Sequence, residues 1–181
     1  MITNEIASII KDHVTKAKQA HTHPAKLMVL SSLLQQLFNV KIEDLLPGIE
    51  KKLGSKILGI RGSADLLFAN VIFEIKVNLS KELDDAKQQL VKYFQALHEK
   101  EPEKKYIGIA TDVIEFKAYS PVIKENVVID LREISSINIE KLTIQEAILW
   151  LDSFIFSKPR ISPSAQDLKF RFGPGSPTYF I

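Results

Sequence analysis

The residues with the clearest chemical potential lie in Ala64–Asn78, ADLLFANVIFEIKVN, where Asp65, Glu74 and Lys76 interrupt an otherwise apolar run. The run reads as two short strands around a tight turn at Ala69-Asn70. Residues two apart on a strand share a face, so Glu74 and Lys76 point the same way as Ile72, and Val71, Phe73, Ile75 and Val77 point into a core. A two-residue turn pairs Phe68 with Val71 and puts Asp65 opposite Glu74, with β-carbons roughly 4.5–5.5 Å apart. Two carboxylates so close repel each other unless a cation lies between them. Mg²⁺ suits such a place, because it takes one or two carboxylates and keeps several waters. Lys76 on the same face can hold one of those waters. Together these groups have the makings of phosphodiester hydrolysis, in which a metal polarises the phosphate and lowers the pKa of the attacking water. A lysine then offsets the negative charge that builds on phosphorus-bound oxygens.

Glu-x-Lys alone carries no information, and the chain has it at Glu50-Lys52, Glu74-Lys76, Glu103-Lys105 and Glu115-Lys117. Glu50 and Glu103 fall in sequence read as helix or loop, where i and i+2 do not share a face. Glu115 is on a strand, but its nearest upstream acid, Asp112, falls in the turn before that strand. Only Glu74-Lys76 has an aspartate at hairpin distance and a following helix that carries Gln89 and Tyr93. Those two are four apart, on one helix face. Gln88 is an alternative glutamine, without that spacing to Tyr93.

GSADLLF, VIFEIK and QQLVKY together resemble the PD-(D/E)xK nuclease superfamily, in the branch with a Q-x-x-x-Y motif on the next helix. The resemblance spans about residues 40–120. It implies an α/β, restriction-endonuclease-like fold, a mixed sheet flanked by helices. It makes Asp65 and Glu74 metal ligands, Lys76 the catalytic lysine, and Gln89 and Tyr93 helpers near the phosphate. Many relatives add a glutamate from an early helix, for which Glu50 is first candidate and Glu43 second. Ala64 stands where the family name has proline. A narrower resemblance, through QQLVKYFQALHEKEPEKKYIGIATDVIEFKAYSP and SAQDLKFRFGPGSPTYFI, is to the N-terminal nuclease domains of type IIG restriction–modification enzymes.

The expectation is therefore a Mg²⁺-dependent endonuclease acting on double-stranded DNA, with Mn²⁺ as substitute metal. It would be the cleavage module of a restriction–modification enzyme, with methyltransferase and target-recognition domains downstream. Cutting both strands with one site per chain calls for a transient dimer on DNA. The alternatives are the nuclease domain of a type I restriction motor subunit and a non-cleaving DNA-binding or assembly module on the same fold.

The elements that must position these residues follow from periodicity. Residues 3–20 place Ile6, Ile9, Ile10, Val14 and Ala17 at helical spacing, and HTHP at 21–24 breaks the pattern. A second helix is expected at about 25–39 and a third at about 42–53. Strands are expected at SKILGIRG, ADLLFA and VIFEIKV, then a long amphipathic helix from Ser80, its expected N-cap, with Glu82, Asp84 and Asp85 where the helix dipole favours acids. KKYIGIAT, VIEFKAYS and NVVIDL read as further strands, and LTIQEAILWLDSFIF as a final helix with a Thr143–Glu146 capping box. The domain is expected over 1–156: a helical part at 1–53, a catalytic core at 54–131 and a closing helix at 143–156.

Residues 157–181 hold four of the eight prolines and read as a connector to a further domain. Phe170, Phe172, Tyr179 and Phe180 would dock on that neighbour or on their own domain.

Composition excludes several classes. Among 181 residues, 45% are apolar and 25% charged, and no apolar run reaches the roughly 18 residues of a membrane span. There is no cysteine, so neither disulfides nor thiolate metal sites arise. No secretory leader is evident, and a cytoplasmic location is expected. The net charge of +2 does not by itself indicate nucleic acid. Neither G-x-x-x-x-G-K-[ST] nor G-x-G-x-x-G occurs. His21 and His23 are read as solvated loop residues, His13 and His98 as surface residues and Trp150 as core. Lys16, Lys18, Lys26, Lys51, Lys52 and Lys56 are read as solvated rather than as phosphate contacts.

Overall fold

The computed structural model describes residues 4–55 and 60–154, so the expected connector at 157–181 lies outside it. Helix α1 (Asn4–Gln19) ends just before HTHP, and α2 (His23–Phe38) starts within it. Thr22 caps α2 by accepting a hydrogen bond from the Ala25 N–H, and Pro24 sits in the first turn, where its missing N–H costs nothing.

The expected third helix is corrected. Only Ile42–Leu45 is helical (α3), and a 3₁₀ turn at Leu46–Gly48 leads into strand β1 (Ile49–Ser55). Pro47 stops the helix, and beyond it the backbone of Ile49–Ser55 pairs with the next strand, although IEKKLGS itself shows no period-two alternation. β2 (Ile60–Phe68) is one strand containing ADLLF, so SKILGIRG was divided wrongly: it spans the end of β1 and the start of β2, and 56–59 are outside the described residues.

β3 (Val71–Ile75) is followed by α4 (Leu79–Lys100), then β4 (Ile107–Thr111), β5 (Glu115–Lys124), β6 (Val127–Asn138) and α5 (Ile144–Phe154). Asn78, not Ser80, caps α4. Its side chain accepts from the Lys81 N–H, and its own N–H donates to Glu82. The Thr143–Glu146 box forms as expected. β6 runs past NVVIDL because β5 pairs with it throughout, with two register shifts.

The six strands lie in sequence order in one mixed sheet flanked by helices, which is the expected fold class. Every neighbouring pair is antiparallel except β3 and β4, which are parallel. A parallel pair needs a long crossover, and α4 supplies it. Strand alternation sends Phe73 and Ile75 to one face and Ile72 to the other. The first face packs Phe73, Ile109 and Phe116 against Leu30, Leu33 and Leu34 of α2 and Trp150 of α5. The second packs Ile72, Ala110 and Tyr119 against Leu79, Ala86, Leu90 and Phe94 of α4. Trp150 is core as expected, and its indole N–H donates to Ser135.

Two side chains read as solvated are instead buried. His13 bonds to the Val113 carbonyl at 2.6 Å, and burial lowers its pKa. Lys26 donates to the carbonyls of Ala17 and Asp112, 2.9 Å each. Both serve the same loop: the turn after β4 presents bare carbonyls to the helices, and only long polar side chains can reach them. Among the described residues, no helix is long and apolar enough to cross a membrane.

Gly108 on β4 marks how closely α4 approaches the sheet. A Cβ there would lie 2.9 Å from two ring carbons of the buried Phe94 and 3.0 Å from Leu90. Gly108→Ala is expected to cost roughly 1–3 kcal/mol in urea unfolding, the usual penalty of overpacking. An unchanged midpoint would show that α4 can move off the sheet freely.

Candidate active site

The β2–β3 hairpin closes as its sequence requires. Phe68 faces Val71, Leu67 faces Ile72 and Leu66 faces Phe73 around Ala69-Asn70. The registered ladder ends there, one position short of Asp65 and Glu74. Instead of facing Glu74 across a paired position, the Asp65 carboxylate accepts the backbone N–H of Ile75 at 2.6 Å through Oδ2. The two acids are thus close without being locked in a like-charge pair.

Glu74 is 4% exposed, on the α4 face of the sheet. Its Oε1 lies 2.8 Å from the Lys76 ammonium. Its Oε2 is buried with no hydrogen-bond partner. Burial and the Asp65 charge push the Glu74 carboxyl up to about 7, against the opposing pull of Lys76 and of the nearby Tyr93 hydroxyl, whose own proton is donated to Ser63. Burial works to lower the Lys76 pKa, but the hydrogen bonds the ammonium donates to Asp85 and Glu74 outweigh that, raise the pKa and keep the amine charged.

Helix α4 presents Asp85, Gln89 and Tyr93 at four-residue spacing, one face of the helix. Asp85 Oδ2 is 2.5 Å from Lys76 Nζ. The Lys76 ammonium, with a smaller side-chain contribution from Gln89, holds the Asp85 carboxyl below its usual range. The Tyr93 hydroxyl donates to the Ser63 carbonyl at 2.6 Å. Burial, then the charges of Glu74 and Asp65, raise the Tyr93 pKa, so the phenol stays protonated beside Glu74.

The sequence reading missed two members of this cluster. His23 is not a solvated loop residue: it opens α2 and places Nε2 3.0 Å from Asp65 Oδ2. Nothing local in HTHP shows that contact, which comes from packing α2 beside the end of β2. Asp85 was legible as the residue four before Gln89, but was read only as an acid favoured by the helix dipole.

Glu50 belongs to β1, not to a helix as expected. Ile49 faces Leu66 and Lys51 faces Ala64, so the Glu50 backbone occupies the position beside Asp65; its side chain lies outside the described residues. Glu43 is exposed on α3. Among the described residues, no three acids or histidines group together as a metal site. The described donor set is the carboxylate pair. That pair fits a hard, largely hydrated divalent cation. A buried carboxylate oxygen without a partner, next to a second negative charge, is what such an ion would relieve.

The Glu115–Lys117 pair provides a contrast: its atoms are 3.4 Å apart and more exposed. Lys16 and Lys18 pair with Asp12 and Glu140 on the surface. No family model matches the chain, and no curated protein or solved structure matches it.

The raised Glu74 pKa makes a signed prediction for metal-free protein. Below about pH 4.5 the carboxyl is protonated in both folded and unfolded chains. Between there and about 7 the unfolded chain has released the proton and the folded one retains it, so this group's contribution to stability falls as pH rises. The full loss above that window is on the order of 3 kcal/mol. His13, whose pKa is lowered, acts in the opposite direction nearby, so the comparison must be with Glu74→Gln. In urea titrations the variant is expected to gain on wild type progressively from pH 4.5 to 7. A gap that does not change with pH would contradict the assignment.

Proposed function

We propose that the chain is a metal-dependent deoxyribonuclease domain of the PD-(D/E)xK type. The observation that carries this reading is Glu74: a buried acid with one oxygen on Lys76, the other unpartnered, and Asp65 beside it. A solvated sheet face or a binding module has no need for that costly arrangement.

Asp65 and Glu74 would hold Mg²⁺, or Mn²⁺ in its place. When bound, such an ion polarises the scissile phosphate and acidifies a water. Lys76, charged and largely enclosed, faces the negative charge that develops on the phosphate oxygens. The Ile75 N–H fixes the Asp65 carboxylate, and Tyr93, tied to Ser63, supports Glu74 from the helix side. The substrate is double-stranded DNA. The parent protein is a cytoplasmic restriction–modification enzyme, of type IIG organisation, in which 157–181 lead to methyltransferase and target-recognition domains and two copies meet on the duplex.

The test is nicking and linearisation of supercoiled plasmid with and without Mg²⁺. Asp65→Asn, Glu74→Gln and Lys76→Met are each expected to lose at least about 10²-fold in rate, with unfolding still cooperative. In Lys76→Met the unpaired Glu74 can take up a proton, which limits the cost to the fold. A wild-type chain that leaves plasmid intact with both Mg²⁺ and Mn²⁺, or a Lys76→Met chain that cuts at the wild-type rate, would contradict the proposal.

A further inference from the structure

Lys76 is held from two sides, and only one of them belongs to the acid pair. Its Nζ lies 2.8 Å from Glu74 Oε1 and 2.5 Å from Asp85 Oδ2. The lysine side chain is 12% exposed, whereas that of Asp85 is 56% exposed, so the ammonium sits inside the site and its second anchor stands at the rim. A lysine has a flexible four-carbon stem and a rotatable point charge. One carboxylate leaves it free to pivot; two on different elements fix where Nζ points.

The helix-dipole explanation of Asp85 is weak. Asp85 is the seventh residue of α4, beyond the first turn to which that effect is confined.

We propose that Asp85 is a positioning residue for Lys76. This rests on the nuclease reading above. It assigns a new role to one acid. A competing possibility is that Asp85 only repels incoming phosphate from the rim, with no effect on the amine.

The two differ in kinetics. If Asp85 positions Lys76, Asp85→Asn lowers kcat about 10- to 100-fold, the scale of a misplaced catalytic group, and leaves KM nearly unchanged. Asp85→Glu, which keeps the charge within reach, restores most of the rate. In metal-free protein, competitive acetylation with acetic anhydride read by mass spectrometry should modify Lys76 faster in Asp85→Asn than in wild type, relative to Lys117. If Asp85 only repels phosphate, Asp85→Asn lowers KM and leaves kcat alone, which would overturn the inference. Unchanged acetylation of Lys76 would overturn it as well. Wild-type protein without Mg²⁺- or Mn²⁺-dependent cleavage brings down the nuclease reading and this inference with it. Wild-type cleavage matched by Asp85→Asn brings down the inference alone.

Discussion

A carboxylate enclosed at the centre of a sheet is expensive, and the structure around Glu74 is organised by that expense. Charges leave water at a cost of several kcal/mol unless partners replace the lost solvation. Glu74 has one strong partner, Lys76, and one oxygen with none. The chain lowers part of the cost by holding the proton more tightly. That such a group is kept on an otherwise apolar strand is what supports the proposed metal site.

The fold supplies what this group needs. β3 is interior to the sheet, and all five of its residues are buried. Its parallel partner β4 forces a crossover, and the crossover helix brings Asp85, Gln89 and Tyr93 back over the strand it has just left. The start of that helix is pinned. The Lys76 N–H bonds to the Thr111 carbonyl at 2.8 Å. Asp112 accepts from the N–H groups of Ile114 and Glu115 through one oxygen and from that of Leu79 through the other. Lys26 and His13 hold the same turn from the opposite layer. The turn after β4 therefore joins α1, α2 and α4, and fixes the helix face that meets Lys76.

Local chemistry was legible in the sequence; contacts between distant elements were not. Alternation around Ala69-Asn70 showed the hairpin register and the faces of Glu74 and Lys76, and four-residue helical spacing showed the shared face of Gln89 and Tyr93. Alternation could not show that pairing ends at Leu66–Phe73, because strand separation is decided by what packs on either side. The helix expected across Glu50 fails because Pro47 ends it and pairing with β2, rather than any local pattern in IEKKLGS, makes the next residues a strand. His23, His13 and Lys26 were read as solvated because each has its partner on an element far along the chain. Polar side chains with remote partners leave no periodic trace.

The central claim is that Asp65 and Glu74 share a divalent cation. It is tested most directly by anomalous diffraction from crystals of the chain grown with Mn²⁺. The account predicts one peak within coordination distance of the Asp65 carboxylate and of Glu74 Oε2, with Lys76 beside it and outside the coordination shell. Crystals saturated with Mn²⁺ that show no peak there, or in which Glu74 Oε2 turns to a protein donor instead, would contradict it.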